Sequence, residues 1–209
     1  MRRNVLLVTT LAGALLLAGG CGSGGTKTSA SASAAAGTPV TDKGDGYALT
    51  LPPGYRYITD PAKSADLLSA EDAKSYPDLA SQVRDAFAQN AKLMAVRSTG
   101  PAMSGINVIV TPAGPLSPES LAQPATRKRI ADQLASVGMQ DIETSAVTID
   151  GTNGLRVDYH LKAGGRTISG VQLYAAPGKT LYTTTLSYQG AEGAPAAEVD
   201  LVARTLRVN

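Results

Sequence analysis

The chain is poor in the residues that carry most redox, metal and nucleophile chemistry. Its 209 residues include one cysteine, Cys21, one histidine, His160, and no tryptophan. A single cysteine cannot form a disulfide within the chain, and a single histidine excludes a metal site built from several histidines. We therefore expect no metal, no cofactor and a fold stabilised by an ordinary hydrophobic core.

The chain also lacks an apolar run long enough to span a membrane, because a spanning helix needs about 20 residues. The apolar run from Val5 to Leu17 is too short for this purpose. It follows the basic start Met1-Arg2-Arg3-Asn4 and precedes Ala18-Gly19-Gly20-Cys21. This order predicts an export signal over residues 1–20 that is cleaved between Gly20 and Cys21.

A cysteine directly after the cleavage site makes this segment resemble a bacterial lipoprotein signal. In that family the cysteine thiol is diacylated, and the lipid holds the new N-terminus at the membrane. Such signals usually carry leucine three places before the cysteine, where this chain has Ala18 with Leu17 behind it. The resemblance implies that Cys21 is lipidated and that the protein lies on the outer face of the cytoplasmic membrane. The alternative is an ordinary secretory signal with an incidental cysteine.

No charge of one sign predominates in the mature chain. Removing Arg2 and Arg3 from the 19 basic residues leaves 17, which equals the 17 acidic residues. Nucleic-acid binding needs a basic surface that displaces phosphate counterions, so we expect no nucleic-acid partner. Large apolar side chains are also missing from Gly22 to about Pro39, where glycine, serine, threonine and alanine predominate. We therefore predict that residues 21–45 are the lipidated cysteine and a flexible tether, followed by one domain over residues 46–209.

The first half of that domain mixes strands and helices. Tyr47–Leu51 reads as a strand, and Pro52-Pro53-Gly54 turns the chain into a return strand over residues 55–58. Asp78 is placed to cap a helix with an apolar face, and strands follow at residues 92–96 and 106–110. Ser117-Pro118-Glu119 predicts another helix start, and Gly138 a helix end.

The second half predicts an antiparallel meander. Turn sequences at Asp150-Gly151, Gly164-Gly165 and Pro177-Gly178 separate four strand-like runs at residues 143–149, 154–162, 166–175 and 180–188. The apolar parity of the third run changes across Gly170, which indicates a bulge. Pro195 then opens a helix with Val199, Val202 and Leu206 on one face. The predicted class is α+β, an antiparallel sheet with helices packed on it.

The opening Gly46-Tyr47-x-Leu49-Thr50-Leu51-Pro52-Pro53-Gly54-Tyr55 resembles the first hairpin of the PsbP-like fold. The order of helices, meander and closing helix is similar to that fold as well. With the signal and tether, the chain resembles the LpqN-type lipoproteins of the actinobacterial envelope. The resemblance implies an α/β/α sandwich that acts as a binding or assembly module, and it supplies no catalytic motif.

Few residues suggest catalysis. A hydrolase or transferase would depend on His160, which shares the polar side of its predicted strand with Asp158, although an exposed histidine beside a cross-strand charge explains both. The sequence contains no Gly-x-Ser-x-Gly elbow and no phosphate-binding Gly-x4-Gly-Lys loop. We therefore predict a protein that is not an enzyme, with an envelope hydrolase or transferase using His160 as the alternative.

Two features suggest binding. Arg127-Lys128-Arg129 could contact anionic lipid headgroups or wall phosphates, or it could be a solvated helix face. Tyr174 has the opposite parity to Leu173, which puts it either on the outer side of the sheet, at the rim of a ligand pocket, or in the packing under helices on both sides of the sheet. The predicted function is a membrane-anchored envelope module that binds a lipid, a glycolipid or a protein. A structural accessory subunit of a membrane complex is a further alternative.

Overall fold

The computed structural model describes residues 37–99, 102–189 and 193–209; Cys21, Gly20 and the predicted signal lie outside these ranges. The strands are β1 (Thr38–Asp42), β2 (Tyr47–Leu51), β3 (Arg56–Ile58), β4 (Ala91–Thr99), β5 (Ala102–Pro112), β6 (Met139–Ile149), β7 (Thr152–Ala163), β8 (Arg166–Ala175), β9 (Thr180–Gln189) and β10 (Arg207–Val208). The helices are a 3-10 helix (Pro61–Leu67), α1 (Ala70–Ser75), α2 (Leu79–Ala88), α3 (Pro118–Ala122), α4 (Pro124–Ser136) and α5 (Ala196–Thr205).

Seven strands form one antiparallel sheet in the order β3-β4-β5-β9-β8-β7-β6, and a small sheet has the order β1-β2-β10. Strands β6 to β9 are neighbours in chain order, so the predicted meander is confirmed. Its turns contain Gly151, Gly165 and Gly178 at positive φ, a backbone region that glycine adopts without steric cost. The predicted α+β class is confirmed as well.

The front face of the large sheet is the face that packs against the small sheet and α5. Leu93, Ile106 and Leu173 form part of this core with Val40 and Leu49 of the small sheet. Helix α5 adds Val199 and Val202, and Leu206 directly after the helix completes the predicted stripe. The front cover is therefore a small sheet with one helix, where the resemblance implied a layer of helices.

The back face carries two separate groups of helices. The first group, the 3-10 helix with α2, packs against Met94, Met103 and Ile109 at the β4–β5 side. The second group, α3 with α4, packs against Leu155 and Val157 at the β7 side. Strand β9 lies between the two sides in the strand order. We call the buried back-face positions of β9, with the flanking positions on β5 and β8, the seam.

The tether prediction is wrong for its last residues, because Thr38–Asp42 form β1. Strand β1 pairs with β2 from Thr38 opposite Leu51 to Asp42 opposite Tyr47. Composition predicted a flexible segment since so few apolar side chains are present. One buried valine, Val40 at 5% exposure, and a complete ladder of backbone hydrogen bonds are sufficient to order it. The folded domain therefore begins before Gly46.

Two other local predictions are wrong. Strands β2 and β3 do not pair as a hairpin, since β3 pairs with β4, and the turn at Pro52-Pro53-Gly54 passes the chain from one sheet to the other. Strand β8 has no bulge at Gly170, because its pairing with β7 and β9 is continuous. A Cβ at Gly170 would lie 2.1 Å from Cζ of Tyr159. Glycine therefore makes room for this aromatic ring.

The predicted helix starts differ in outcome. Ser117 caps α3 through a reciprocal capping box, with its Oγ accepting from the Ser120 backbone N–H at 3.2 Å. Asp78 precedes α2 as predicted, but its side chain makes no capping hydrogen bond. Gly138, at φ +92°, follows α4 as the predicted helix end.

Candidate binding site at the back-face seam

The seam is lined by polar side chains although it lies in the middle of the large sheet. Strand register places Gly105, Ser187 and Gly170 in one row across β5, β9 and β8. The next rows are Asn107, Thr185 and Gln172, and then Ile109, Thr183 and Tyr174. Central positions of a sheet covered on both faces are ordinarily apolar. The polar rows therefore need an explanation other than packing.

Several polar atoms in the seam are buried without a partner. Gln172, Thr183, Thr185 and Ser187 are each at most 2% exposed. Within the described part of the chain, the three hydroxyls and the Gln172 Nε2 group have no hydrogen-bond partner. A buried polar group without a hydrogen bond costs roughly 1–3 kcal/mol. A cluster of four such groups therefore lowers the stability of the fold unless another molecule forms hydrogen bonds with them.

Two buried tyrosines flank these groups. The Tyr174 hydroxyl donates to Oε1 of Gln172, which orients the amide so that its Nε2 points away from that phenol. The Tyr159 ring lies over Gly170. Burial raises the pKa of Tyr159 to about 12, although the nearby Ser187 hydroxyl acts in the opposite direction. These two hydroxyls are close, but no hydrogen bond of good geometry joins them.

The chemistry available at the seam is hydrogen bonding by neutral groups. A hydroxyl donates one hydrogen bond and accepts others, and the amide Nε2 donates. On either side the seam is flanked by the two buried apolar clusters under the helices, with Met94 and Met103 on one side and Leu155 and Val157 on the other. The arrangement suits a ligand with a few hydroxyl or amide groups beside apolar surface.

Tyr174 does not lie where the sequence predicted. It faces away from Leu173 as expected, but its ring is 2% exposed and lies within the cluster under α3 and α4. The interpretation as an exposed rim residue is wrong, and the alternative, packing under helices, is confirmed, because α3 and α4 cover this side of the sheet. Tyr174 is therefore no rim residue; it positions Gln172 from inside the core.

The basic triplet is placed on the first turns of α4. The Arg127 guanidinium donates to the Ala122 carbonyl at 3.1 Å, and Lys128 Nζ pairs with Asp132 at 2.9 Å. Arg129 is exposed. Two of the three cations are thus engaged, Arg127 with the end of α3 and Lys128 within α4. Contact of this triplet with anionic lipid remains a prediction.

His160 has a carboxylate partner, but not the predicted one. Its Nδ1 lies 3.3 Å from Oδ2 of Asp141, whereas Asp158 is held by Arg156 at 2.7 Å. The sequence pointed to Asp158 because both residues share one side of β7. Asp141 approaches instead because the β6–β7 register shifts between Gln140 and Glu143. The histidine side chain is one-third exposed.

A second polar cluster, on the front face, was not predicted. The Arg97 guanidinium binds the Glu198 carboxylate through two contacts of 2.7 and 3.1 Å. The same guanidinium lies 4.7 Å from the centre of the Tyr55 ring. Tyr188 donates to Glu198 at 3.1 Å and Tyr55 at 3.4 Å. These four residues come from three distant segments of the chain, since only Tyr188 and Glu198 are near each other in sequence. No local pattern could therefore have grouped them.

No metal centre is found at either cluster. Within residues 37–99, 102–189 and 193–209, no group of three or more histidine, cysteine, aspartate or glutamate side chains could hold a metal ion. Across the same residues, no helix combines the length and the apolarity needed to span a bilayer.

Comparisons with known proteins identify similar folds. No protein-family model matches the chain, and no curated protein matches its sequence. Among solved structures, cyanobacterial PsbP (CyanoP) from Synechocystis sp. PCC 6803 matches with a TM-score of 0.48 and 15% identity, over 88% of this chain and 98% of its own. LpqN of Mycobacterium tuberculosis, described as involved in cell envelope biogenesis, matches with a TM-score of 0.45 and 13% identity, over 82% and 90%.

A protein from Bacteroides thetaiotaomicron VPI-5482 also matches, with a TM-score of 0.48 and 9% identity over 84% of this chain. The chain spans about half of that protein, 49% of its length. PsbP and LpqN, the two folds that the sequence resembles, are thus both among the similar structures. At these sequence identities, similarity to the solved structures concerns the fold and says nothing about function.

Proposed function

We propose that this protein is a membrane-anchored, extracytoplasmic binding module that takes up an amphiphilic envelope molecule, a lipid or glycolipid, at the seam. The observation that carries the proposal is the set of buried, unpartnered hydroxyl and amide groups on β8 and β9. Because these groups are neutral, the seam favours a ligand that offers hydroxyls or amides over one bound by charge. The proposed role is non-enzymatic.

The seam also favours a small ligand over a protein partner. Thr183 and Thr185 are at most 2% exposed, so any ligand must enter between the two groups of helices to reach them, which a flat protein surface could not do. A tyrosine-rich docking patch would have suited a protein. Seven of the eight tyrosines are buried, however, and Tyr57 is exposed at 41%.

The anchor in this proposal is Cys21 with a shortened tether. Since β1 begins at Thr38, the proposed tether would be limited to the segment between Cys21 and β1, about 16 residues. At roughly 5–6 Å multiplied by the square root of length, its typical span is about 20–24 Å. The domain would therefore lie within about its own diameter of the bilayer.

The anchor is tested by replacing Cys21 with alanine. Two acyl chains give stable attachment, at about 0.8 kcal/mol for each buried CH₂. We expect the wild type to incorporate labelled fatty acid and to fractionate with membranes, and Cys21→Ala to do neither. Identical fractionation without label in either protein would refute the lipid anchor, and it would leave the seam untouched.

The ligand site is tested by removing seam hydroxyls without changing side-chain shape. The double variant Thr183→Val/Thr185→Val should raise the free energy of unfolding of the free protein by about 1 kcal/mol per site, because unpartnered hydroxyls are removed. It should also lose the bound molecule that native mass spectrometry detects after exposure of the wild type to an envelope extract.

Thr184 of the same strand supplies the matched control. It lies on the front face opposite Leu173, is 0% exposed, and its hydroxyl is also unpartnered. Thr184→Val should therefore be stabilised to a similar extent and keep the bound molecule. Equal retention of the molecule by all variants would rule out the seam as its site.

A further inference from the structure

Strand β6 presents the longer of the two outer edges of the large sheet. Across the described residues its outer side pairs with no strand, and the edge strand at the other end, β3, has three residues. From Glu143 to Ile149 the pairing of β6 with β7 is regular over seven residues, Glu-Thr-Ser-Ala-Val-Thr-Ile. After Glu143 this stretch contains no charge, proline or glycine. Exposed edges are normally protected by such residues, since unpaired backbone groups recruit another strand.

A cleft of about 460 Å³ lies beside this edge on the front face. It is lined by Val147 and Thr148 of β6 and by Ala197, Asp200, Ala203 and Arg204 of α5. Small apolar side chains are thus combined with one acid and one base. A surface that carries both charges is able to meet its own copy across a two-fold axis.

We propose that β6 pairs antiparallel with β6 of a second copy, around a two-fold axis at Ala146, and joins the two large sheets. Ala146 is the midpoint of the regular stretch, so this register overlaps all seven residues. It places Glu143 opposite Ile149 of the second copy, Thr144 opposite Thr148, and Ser145 opposite Val147. No like charges face each other directly, and threonine pairs stabilise antiparallel strands.

Charge complementarity favours the same arrangement. A two-fold axis perpendicular to the sheet puts both copies of α5 on the same face of the joined sheet. The cleft beside each β6 carries one acid, Asp200, and one base, Arg204, so both copies bring charges of both signs to this side of the junction. At the end of the strand, Asp150 already lies 3.5 Å from Arg207 of its own chain. The carboxylate of Glu143 in the second copy therefore does not approach an unpaired acid.

Cysteine cross-linking of the full-length protein in membranes tests this register. In Ala146→Cys the two introduced thiols lie on directly opposite residues, whose Cα atoms are about 4.5–5.5 Å apart, within the range of a disulfide. We expect most of this variant to run as a disulfide-linked dimer after mild oxidation. Wild type, with Cys21 as its only cysteine, should give no such product.

Thr148→Cys is the matched control on the same exposed side of the strand. The two copies of position 148 would lie about 13 Å apart, four residues along the strand, so no cross-link should form. Cross-linking of Thr148→Cys, of both variants or of neither would overturn the proposal. Attachment of the thiol introduced by Ala146→Cys to a different protein would overturn it as well.

Light scattering of the detergent-solubilised protein provides an independent readout. Ala146→Lys places two ammonium groups directly opposite each other, and like charges in this position destabilise strand pairing. We expect at least about tenfold weaker dimerisation, with thermal unfolding of the monomer unchanged. Equal mass for wild type and Ala146→Lys would contradict the proposal.

Discussion

Glu198 connects helix α5 to the large sheet through one guanidinium and two phenols. Its carboxylate and the Arg97 guanidinium are each about one-fifth exposed. Removing one partner of such a pair leaves a poorly solvated charge behind. We predict that Glu198→Gln lowers the free energy of unfolding by about 2 kcal/mol, measured by urea denaturation.

The ion pair between Lys128 and Asp132 supplies the comparison. It joins positions i and i+4 of α4, with both side chains more than 60% exposed. Asp132→Asn should cost less than about 0.5 kcal/mol, as is usual for exposed pairs. If both variants lose the same amount, the front cluster contributes no more than a surface salt bridge.

At the scale of elements, β1 determines where the domain begins. Val40 is its buried residue and packs with Leu49 in the front core. We predict that Val40→Ala costs about 2 kcal/mol of unfolding free energy, because it leaves a cavity in a packed core. Thr41→Ala, at an exposed position of the same strand, should change it by less than about 0.5 kcal/mol. Indistinguishable stabilities would mean that residues 38–42 behave as tether after all.

Local sequence patterns predicted the helices and strands well, but they predicted less well which elements and side chains lie next to each other in the fold. Glycine turns and alternating parity identified the four meander strands and the inner side of β7, since both depend on residues close in sequence. Two features depend on segments that are distant in sequence. These are the pairing of β3 with β4 and the grouping of Tyr55, Arg97, Tyr188 and Glu198. Tyr174 shows the same limit, because parity gives the side of a strand but not what covers that side. The seam was missed for this reason.

For the whole molecule, the buried tyrosines predict a loss of stability in alkali. Burial raises the pKa of Tyr159 to about 12, and burial, despite the opposing effect of Arg97, raises the pKa of Tyr55 to about 12. An unfolded tyrosine ionises near pH 10. Between about pH 10 and 12 the unfolded chain therefore binds fewer protons than the folded one, so the free energy of unfolding falls as pH rises.

Two pKa units correspond to about 3 kcal/mol for each such tyrosine. Urea denaturation from about pH 8 to 11.5, read by circular dichroism, measures the loss. Tyr159→Phe should reduce this loss of unfolding free energy. Tyr57→Phe changes a ring outside the core and should show the same loss as the wild type. A stability that stays constant over this range would contradict the burial of ionisable phenols.

The small sheet joins the two ends of the described chain. Strand β2 pairs with β10, so that Tyr47 lies opposite Val208, and the Asn209 backbone N–H donates to the Gly46 carbonyl at 2.9 Å. A chain exported behind an N-terminal signal crosses the membrane with its first residues leading. If this chain is exported as proposed, β2 would cross the membrane well before β10, its partner in the small sheet. Lipid attachment at Cys21 would then precede the pairing of β2 with β10, and the small sheet would close only after β10 had crossed.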